Sequence, residues 1–215
     1  MCRKLFLLTS FLLVLALVST NVAHADIIEI PIAIDDDDVE EHGDWDAGAM
    51  EDFTSGDMEM PYEDEGMGEI QIIGLRFTGI PIPRGATITE AWVQFQVDET
   101  TDGTLPVNLI IEGELSANSA TFSDIVHDIS GRPTTTAQVQ WRVPNWVTVG
   151  DHGPDQATPS IASIIQEIVN QPGWSGGAIV LMFRDDPASP SQGMRAAVSF
   201  DGDPSVAALL HISYQ

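Results

Sequence analysis

Residues 88 to 99, ITEAWVQFQVDE, alternate along the chain, with Ala91, Val93, Phe95 and Val97 on one side and Glu90, Trp92, Gln94 and Gln96 on the other. A period of two predicts a strand with one buried face. Residues 70–80, 105–115, 138–143, 177–184, 194–200 and 208–215 carry comparable apolar runs bounded by Gly, Pro, Asn or Asp. With Ile27–Ile34, where Pro31 marks an edge position, about eight strands are expected. The pattern predicts an all-β fold, a jelly-roll β-sandwich. One short helix interrupts it over about 158–171, where Ile161, Ile164, Ile165, Ile168 and Val169 recur at helical spacing. Thr158 is its expected N-cap, Pro159 lies in its first turn, and Pro172-Gly173 ends it. No internal repeat and no second domain boundary is visible, so residues 26–215 are expected to form a single domain.

The first 25 residues depart from this pattern. Arg3 and Lys4 precede an apolar run from Leu5 to Val18, and Ala23-His24-Ala25 supplies a small-x-small cleavage site, the features of a secretory signal peptide. The expected product is secreted and extracellular, with the periplasm or cell surface as variants of the same route. No later run approaches the ~18 apolar residues of a membrane helix, so no membrane insertion is expected. Cys2 precedes the apolar run, and cleavage would leave a chain without cysteine. Disulfides, thiolate metal sites and cysteine nucleophiles are then excluded together.

Charge changes the picture more than hydropathy does. Beyond the signal peptide the basic residues are Arg76, Arg84, Arg132, Arg142, Arg184 and Arg195, against 33 acids. Such a field repels phosphate backbones and anionic lipid, so no nucleic-acid partner is expected and cations are the natural ligands. Residues 35–69 alone hold 16 acids and no Lys or Arg. This stretch lacks sustained periodicity and reads as an acidic loop, ordered once something neutralises it. Calcium, which takes 6–8 oxygen ligands in flexible geometry, suits it. The candidate ligands are Asp36, Asp38, Glu40, Glu41, Asp57, Glu59 and Asp201. Asp44-x-Asp46-x-Gly48 begins like an EF-hand loop but lacks the ligand and glycine that should follow. A solvated acidic surface is the competing account. Arg76 and Arg195 lie within apolar strands and are each expected to meet a carboxylate, one of them from the acidic segment. Among His42, His127, His152 and His211, His42 is the one whose neighbouring carboxylates suit it to a metal site.

The stretch from Gly74 to Glu99 resembles the secreted bacterial β-sandwich modules of the DNRLRE type, related to carbohydrate-binding modules with a galactose-binding-like jelly roll. The similarity rests on Leu75-Arg76-Phe77, on Ile82-Pro83-x-Gly85-Ala86-Thr87-Ile88 turning into a strand, and on the terminal His211-Ile212-Ser213-Tyr214. SGDMEMPYEDE (55–65) and IIQEIVNQPGWSGGAIVLMF (164–183) resemble uncharacterised extracellular sequences of the same kind. The resemblance covers most of residues 55–215. It implies an accessory or adhesive extracellular domain in which bound calcium can pin loops at the sandwich edge.

Aromatic platforms bind sugar rings, and tryptophans also fill sandwich cores. Trp141 and Trp146, flanking the turn RVPN, and Trp92, on the polar side of its strand, are the sugar-binding candidates. GWSGG (173–177) matches the G-x-S-x-G nucleophile elbow, yet the helix comes before Ser175 and the strand after it, the reverse of what that mechanism requires. A tight turn explains Ser175 better than catalysis does. The reading favours a non-catalytic binding or adhesion module, stabilised by calcium, with carbohydrate or an extracellular matrix component as ligand. A self-assembling structural protein that joins copies at the first strand, and a hydrolase, are the alternatives.

Overall fold

A computed structural model describes residues 25–43, 48–51, 53–63 and 68–215. Most of the expected signal peptide, together with Asp44, Trp45 and Asp46, lies outside the described residues.

Among the described residues the chain is all-β, with eleven strands in three antiparallel sheets and one short helix, packed as a β-sandwich. The strands are β1 (Asp26–Pro31), β2 (Asp38–His42), β3 (Asp57–Met60), β4 (Gln71–Ile80), β5 (Ile88–Gln94), β6 (Val97–Glu99), β7 (Val107–Gly113), β8 (Val139–Val143), β9 (Gly177–Asp185), β10 (Arg195–Val198) and β11 (Leu209–Tyr214). One sheet has the order β2-β4-β9-β7-β8. Two smaller sheets run β1-β11-β5 and β3-β10-β6. Every strand expected from the apolar pattern is present. β1 is an edge strand, as Pro31 requires.

The alternation within β5 places Ala91 and Val93 in the main core, and Phe95 and Val97 continue it. β9 is buried on both faces. Ile179, Leu181 and Phe183 enter the main core, whereas Val180 and Met182 meet Val39, Phe122 and Ile129 on the far side. Residues 114–135 therefore cover the outer face of the five-stranded sheet. Gly74 admits them, since a Cβ there would lie 2.7 Å from the Phe122 ring.

Three expectations are corrected. The acidic segment 35–69 is not simply a loop, because it contains β2 and β3, with β2 pairing to β4 and β3 to β10. The inward positions of β2 are charged, so apolar periodicity does not reveal it, and β3 is too short for its two alternating apolar residues, Met58 and Met60, to stand out. The helix α1 spans Ala162–Val169, starting later than expected. The Thr158 hydroxyl accepts the Val93 N–H at 3.0 Å instead of capping it. Arg195, 1% exposed, donates to the carbonyls of Pro144, Asp102, Met194 and Leu105 rather than to a carboxylate. Burial lowers its pKa to about 10, against the opposing charge of Asp102. Arg76 behaves as expected and binds Asp37 of the acidic segment.

Candidate functional site

Consecutive side chains of an extended strand point to opposite faces, so β2 sends Asp38 and Glu40 one way and Val39 and Glu41 the other. All three carboxylates are buried, and each holds a distant piece of backbone. Asp38 accepts the Phe200 N–H at 2.8 Å, and Glu40 accepts the Glu59 N–H at 2.7 Å. On the far face Glu41 accepts the N–H groups of Ile129 and Ser130 at 2.6 and 2.9 Å. The carboxylates thus do the work of caps for segments 19 to 162 positions away in sequence.

Burial raises the Asp38 pKa to about 7. The Phe200 amide opposes that rise, and the nearby charges of Asp201 and Asp37 add to it. Burial also drives Glu40 well above the ordinary carboxylate range, with Glu59, Asp57 and Glu51 adding repulsion. Asp57 is raised by burial and by Asp98 and Glu99. Charge thus couples Asp38 to Asp201, and Glu40 to Asp57 and Glu59, along one face of β2.

Two of the sequence candidates lie apart from it. Glu41 is on the opposite face of β2, tied to Ile129 and Ser130. Asp36 sits in the turn before β2, where its carbonyl accepts the Thr121 hydroxyl at 3.4 Å. Its neighbour Asp37, 1% exposed, receives Arg76 at 2.7 Å and the Thr121 hydroxyl at 3.3 Å.

A tighter group stands at the end of β2. His42 pairs through Nε2 with Glu51 at 2.6 Å and through Nδ1 with Glu69 at 2.9 Å. Ligand atoms of His42, Glu63 and Glu69 all lie within 4.8 Å of one another, the one such group among the described residues. Backbone bonds bring these positions together. The Glu51 N–H donates to Glu40, the Glu63 N–H to Glu69, and the Gly43 N–H to Ile70. Directly opposite His42 in the β2–β4 ladder is Gln71, wholly buried. None of the seven acids proposed as ligands from sequence belongs to this group. The signal for it was His42, the histidine within the acidic run; the separations of Glu51, Glu63 and Glu69 follow no motif.

A different chemistry marks the β1-β11-β5 sheet. Trp92 and His211 are cross-strand partners and stack at 3.7 Å between ring centroids, 15° from parallel. Trp92 lines a cleft of about 440 Å³ with Glu90, Gln94, His152, Thr158 and Ser160. Its far wall is the segment that runs beside β5, held by Thr158 N–H to Val93 and Ile161 N–H to Ala91. A second cleft of about 310 Å³, lined by Pro31, Gln96 and Leu209 among others, shares Gln94 and His152 with the first.

The other two tryptophan candidates are corrected. Trp141 and Trp146 are 2% and 0% exposed. They pack against Phe95, Trp141 in a stack at 5.9 Å, and offer no face to a ligand. Ser175 is exposed in the turn before β9, where Gly176 and Gly177 have positive φ. His127, Ser130 and Glu41 also come together, but both Ser130 and Glu41 approach the same ring nitrogen, Nδ1, at 3.0 and 3.8 Å. A proton relay needs one partner on each nitrogen.

No known family model matches the chain, and no curated protein does.

Proposed function

We propose that this protein is a secreted, non-catalytic binding module that takes a carbohydrate in the Trp92 cleft and is stabilised by calcium at its N-terminal acids. The observation that carries the reading is Trp92, which lines the wider of the two clefts and is backed by the stacked His211 ring. The row Glu29–His211–Trp92 crosses three adjacent strands, so the platform rests on sheet rather than loop. His211 contacts Glu29 at 3.4 Å and Ser213 at 3.3 Å, which holds its ring beneath the indole. An aromatic face with Glu90, Gln94, His152 and Ser160 around it offers the mixture of stacking and hydrogen bonding that a sugar ring uses. The strong negative charge disfavours anionic polysaccharide, so the ligand is an uncharged glycan. The resemblance in residues 74–99 to jelly-roll carbohydrate-binding modules supports the same class.

For calcium, the buried oxygens Asp37 Oδ2 and Asp38 Oδ1 accept no hydrogen bond. A hard cation fits such orphaned carboxylate oxygens, and Asp38 with Asp201 would hold it. When bound, it would neutralise charges that otherwise repel one another.

Calorimetric titration against neutral oligosaccharides, with calcium present, tests the proposal. Binding should fall at least about tenfold in Trp92→Ala, whose melting temperature should stay close to that of the parent. Binding that survives this substitution unchanged rules out the cleft. A second reading, self-association, is favoured by β1, an exposed sheet edge with Ile27 64% exposed. Concentration-dependent size in solution would support it.

A further inference from the structure

We infer that His42, Glu63 and Glu69 form a site for a borderline divalent metal of the zinc or cobalt type, separate from the calcium acids and the glycan cleft. The donors decide the class. Calcium takes 6–8 oxygens, whereas an imidazole nitrogen with two carboxylates is a donor set common to three-ligand zinc sites, which complete their shell with water.

Three observations support it. The donor atoms already lie within 4.8 Å of one another. The two imidazole nitrogens have separate tasks. Nδ1 lies 2.9 Å from Glu69 and Nε2 2.6 Å from Glu51 Oε2, which accepts no hydrogen bond as it stands; a rotation of the Glu51 carboxylate would let it take the Nε2 proton and leave Nδ1 the ligating lone pair. This is the carboxylate–histidine–metal arrangement that orients ligating histidines generally. Independently, Gln71 is 0% exposed, and its amide oxygen has no hydrogen-bond partner. It stands opposite His42 in the ladder, and its amide N–H favours the Glu63 carboxylate by hydrogen bonding. A buried amide oxygen without a donor is costly, and a metal-bound water would supply one.

The alternative is an imidazolium simply held among carboxylates. Protonated, His42 cancels one of the three charges of Glu51, Glu63 and Glu69. Residues 35–69 contain no Lys or Arg to meet the other two. A divalent ion beside a neutral imidazole balances the site better.

The test uses the purified full-length protein, stripped of metal and kept in excess calcium. It is titrated with Co²⁺ followed by d–d absorption, and with Zn²⁺ followed by calorimetry. One equivalent of each should bind despite the calcium. Glu63→Gln and Glu69→Gln should each weaken zinc binding by about tenfold or more, and Glu51→Gln by about 10- to 100-fold. Glu51, Glu63 and Glu69 are all partly exposed, so Glu63→Gln keeps the test open if either of the other substitutions unfolds the chain. Absence of stoichiometric binding, displacement of zinc by calcium, or full affinity in a folded Glu63→Gln protein would each overturn the assignment. Because Trp92 and Asp38 are untouched by these variants, loss of the metal leaves the glycan reading to stand or fall by its own experiment.

Discussion

Arg76 Nη1 lies 2.7 Å from Asp37 Oδ1, and the aspartate is 1% exposed. The arginine projects from β4 of the five-stranded sheet, and its Nε also donates to the Ser119 carbonyl at 3.1 Å. One guanidinium therefore links the acidic segment to the loop that covers the sheet's outer face. Removing it leaves a buried carboxylate without its cation. Arg76→Met should cost about 3–5 kcal/mol in urea denaturation. The double variant Arg76→Met/Asp37→Asn should recover a large share of that loss, because the stranded charge is then gone.

Asp38 gives stability a pH dependence of predictable sign. Its pKa is raised from 3.8 to about 7 on folding, so the native state holds this proton more tightly than the unfolded chain does. The stabilisation from this group is complete below pH 3.8, is lost as pH rises toward 7, and is flat above. In EDTA, Asp38→Asn should therefore gain on the parent across that window and stay ahead at about pH 8 by about 1–3 kcal/mol. The asparagine oxygen can still accept from Phe200. A variant that is less stable than the parent under those conditions would contradict burial as the cause of the shift.

Calcium should reverse that ranking. Calorimetric melting in EDTA, then in calcium at matched ionic strength, should show a higher midpoint with calcium, and about 100-fold excess over the dissociation constant adds ~2.7 kcal/mol. Asp38→Asn should lose most of the gain. A midpoint indifferent to calcium would leave these acids as a solvated, repulsive surface.

The tryptophans should separate by stability. Trp141→Ala and Trp146→Ala each open a hole beside Phe95 and should cost about 3–5 kcal/mol. Trp92→Ala removes one stack against His211 and should cost about 1 kcal/mol. Equal losses at all three positions would mean that Trp92 is packed like the others.

The strands built on apolar alternation were legible from sequence, as were the edge position of β1 and the Arg76 pairing. β2 and β3 were not, because the alternation of Met58 and Met60 in β3 is only four residues long, and a hydrophobic period cannot detect a strand whose buried side chains are Asp38, Glu40 and Glu41. What stabilises those groups is hydrogen bonding to Phe200, Glu59, Ile129 and Ser130, contacts that exist only once the chain has folded. Arg195 escaped for a related reason, since its partners are carbonyls and every residue type supplies one. The tryptophans expose a different limit. A period of two assigned Trp92 correctly to the outer face, but Trp146 lies beyond the end of β8, where alternation carries no information. The His42 group drew together four positions spread over residues 42–69 through the end of β2 and the loop segments that bond beside it.

The antiparallel pairing of β1 with β11 sets Asp26 against Tyr214 and continues through Pro31 and Leu209. A load applied across Asp26 and Tyr214 meets this ladder at one end and acts perpendicular to the strands. The pairs then separate in succession, as in unzipping, instead of sharing the force as they would in shear. Tethered through these two positions, the protein would yield at its β1 edge first, while the five-stranded sheet, to which neither strand belongs, would be loaded only afterwards.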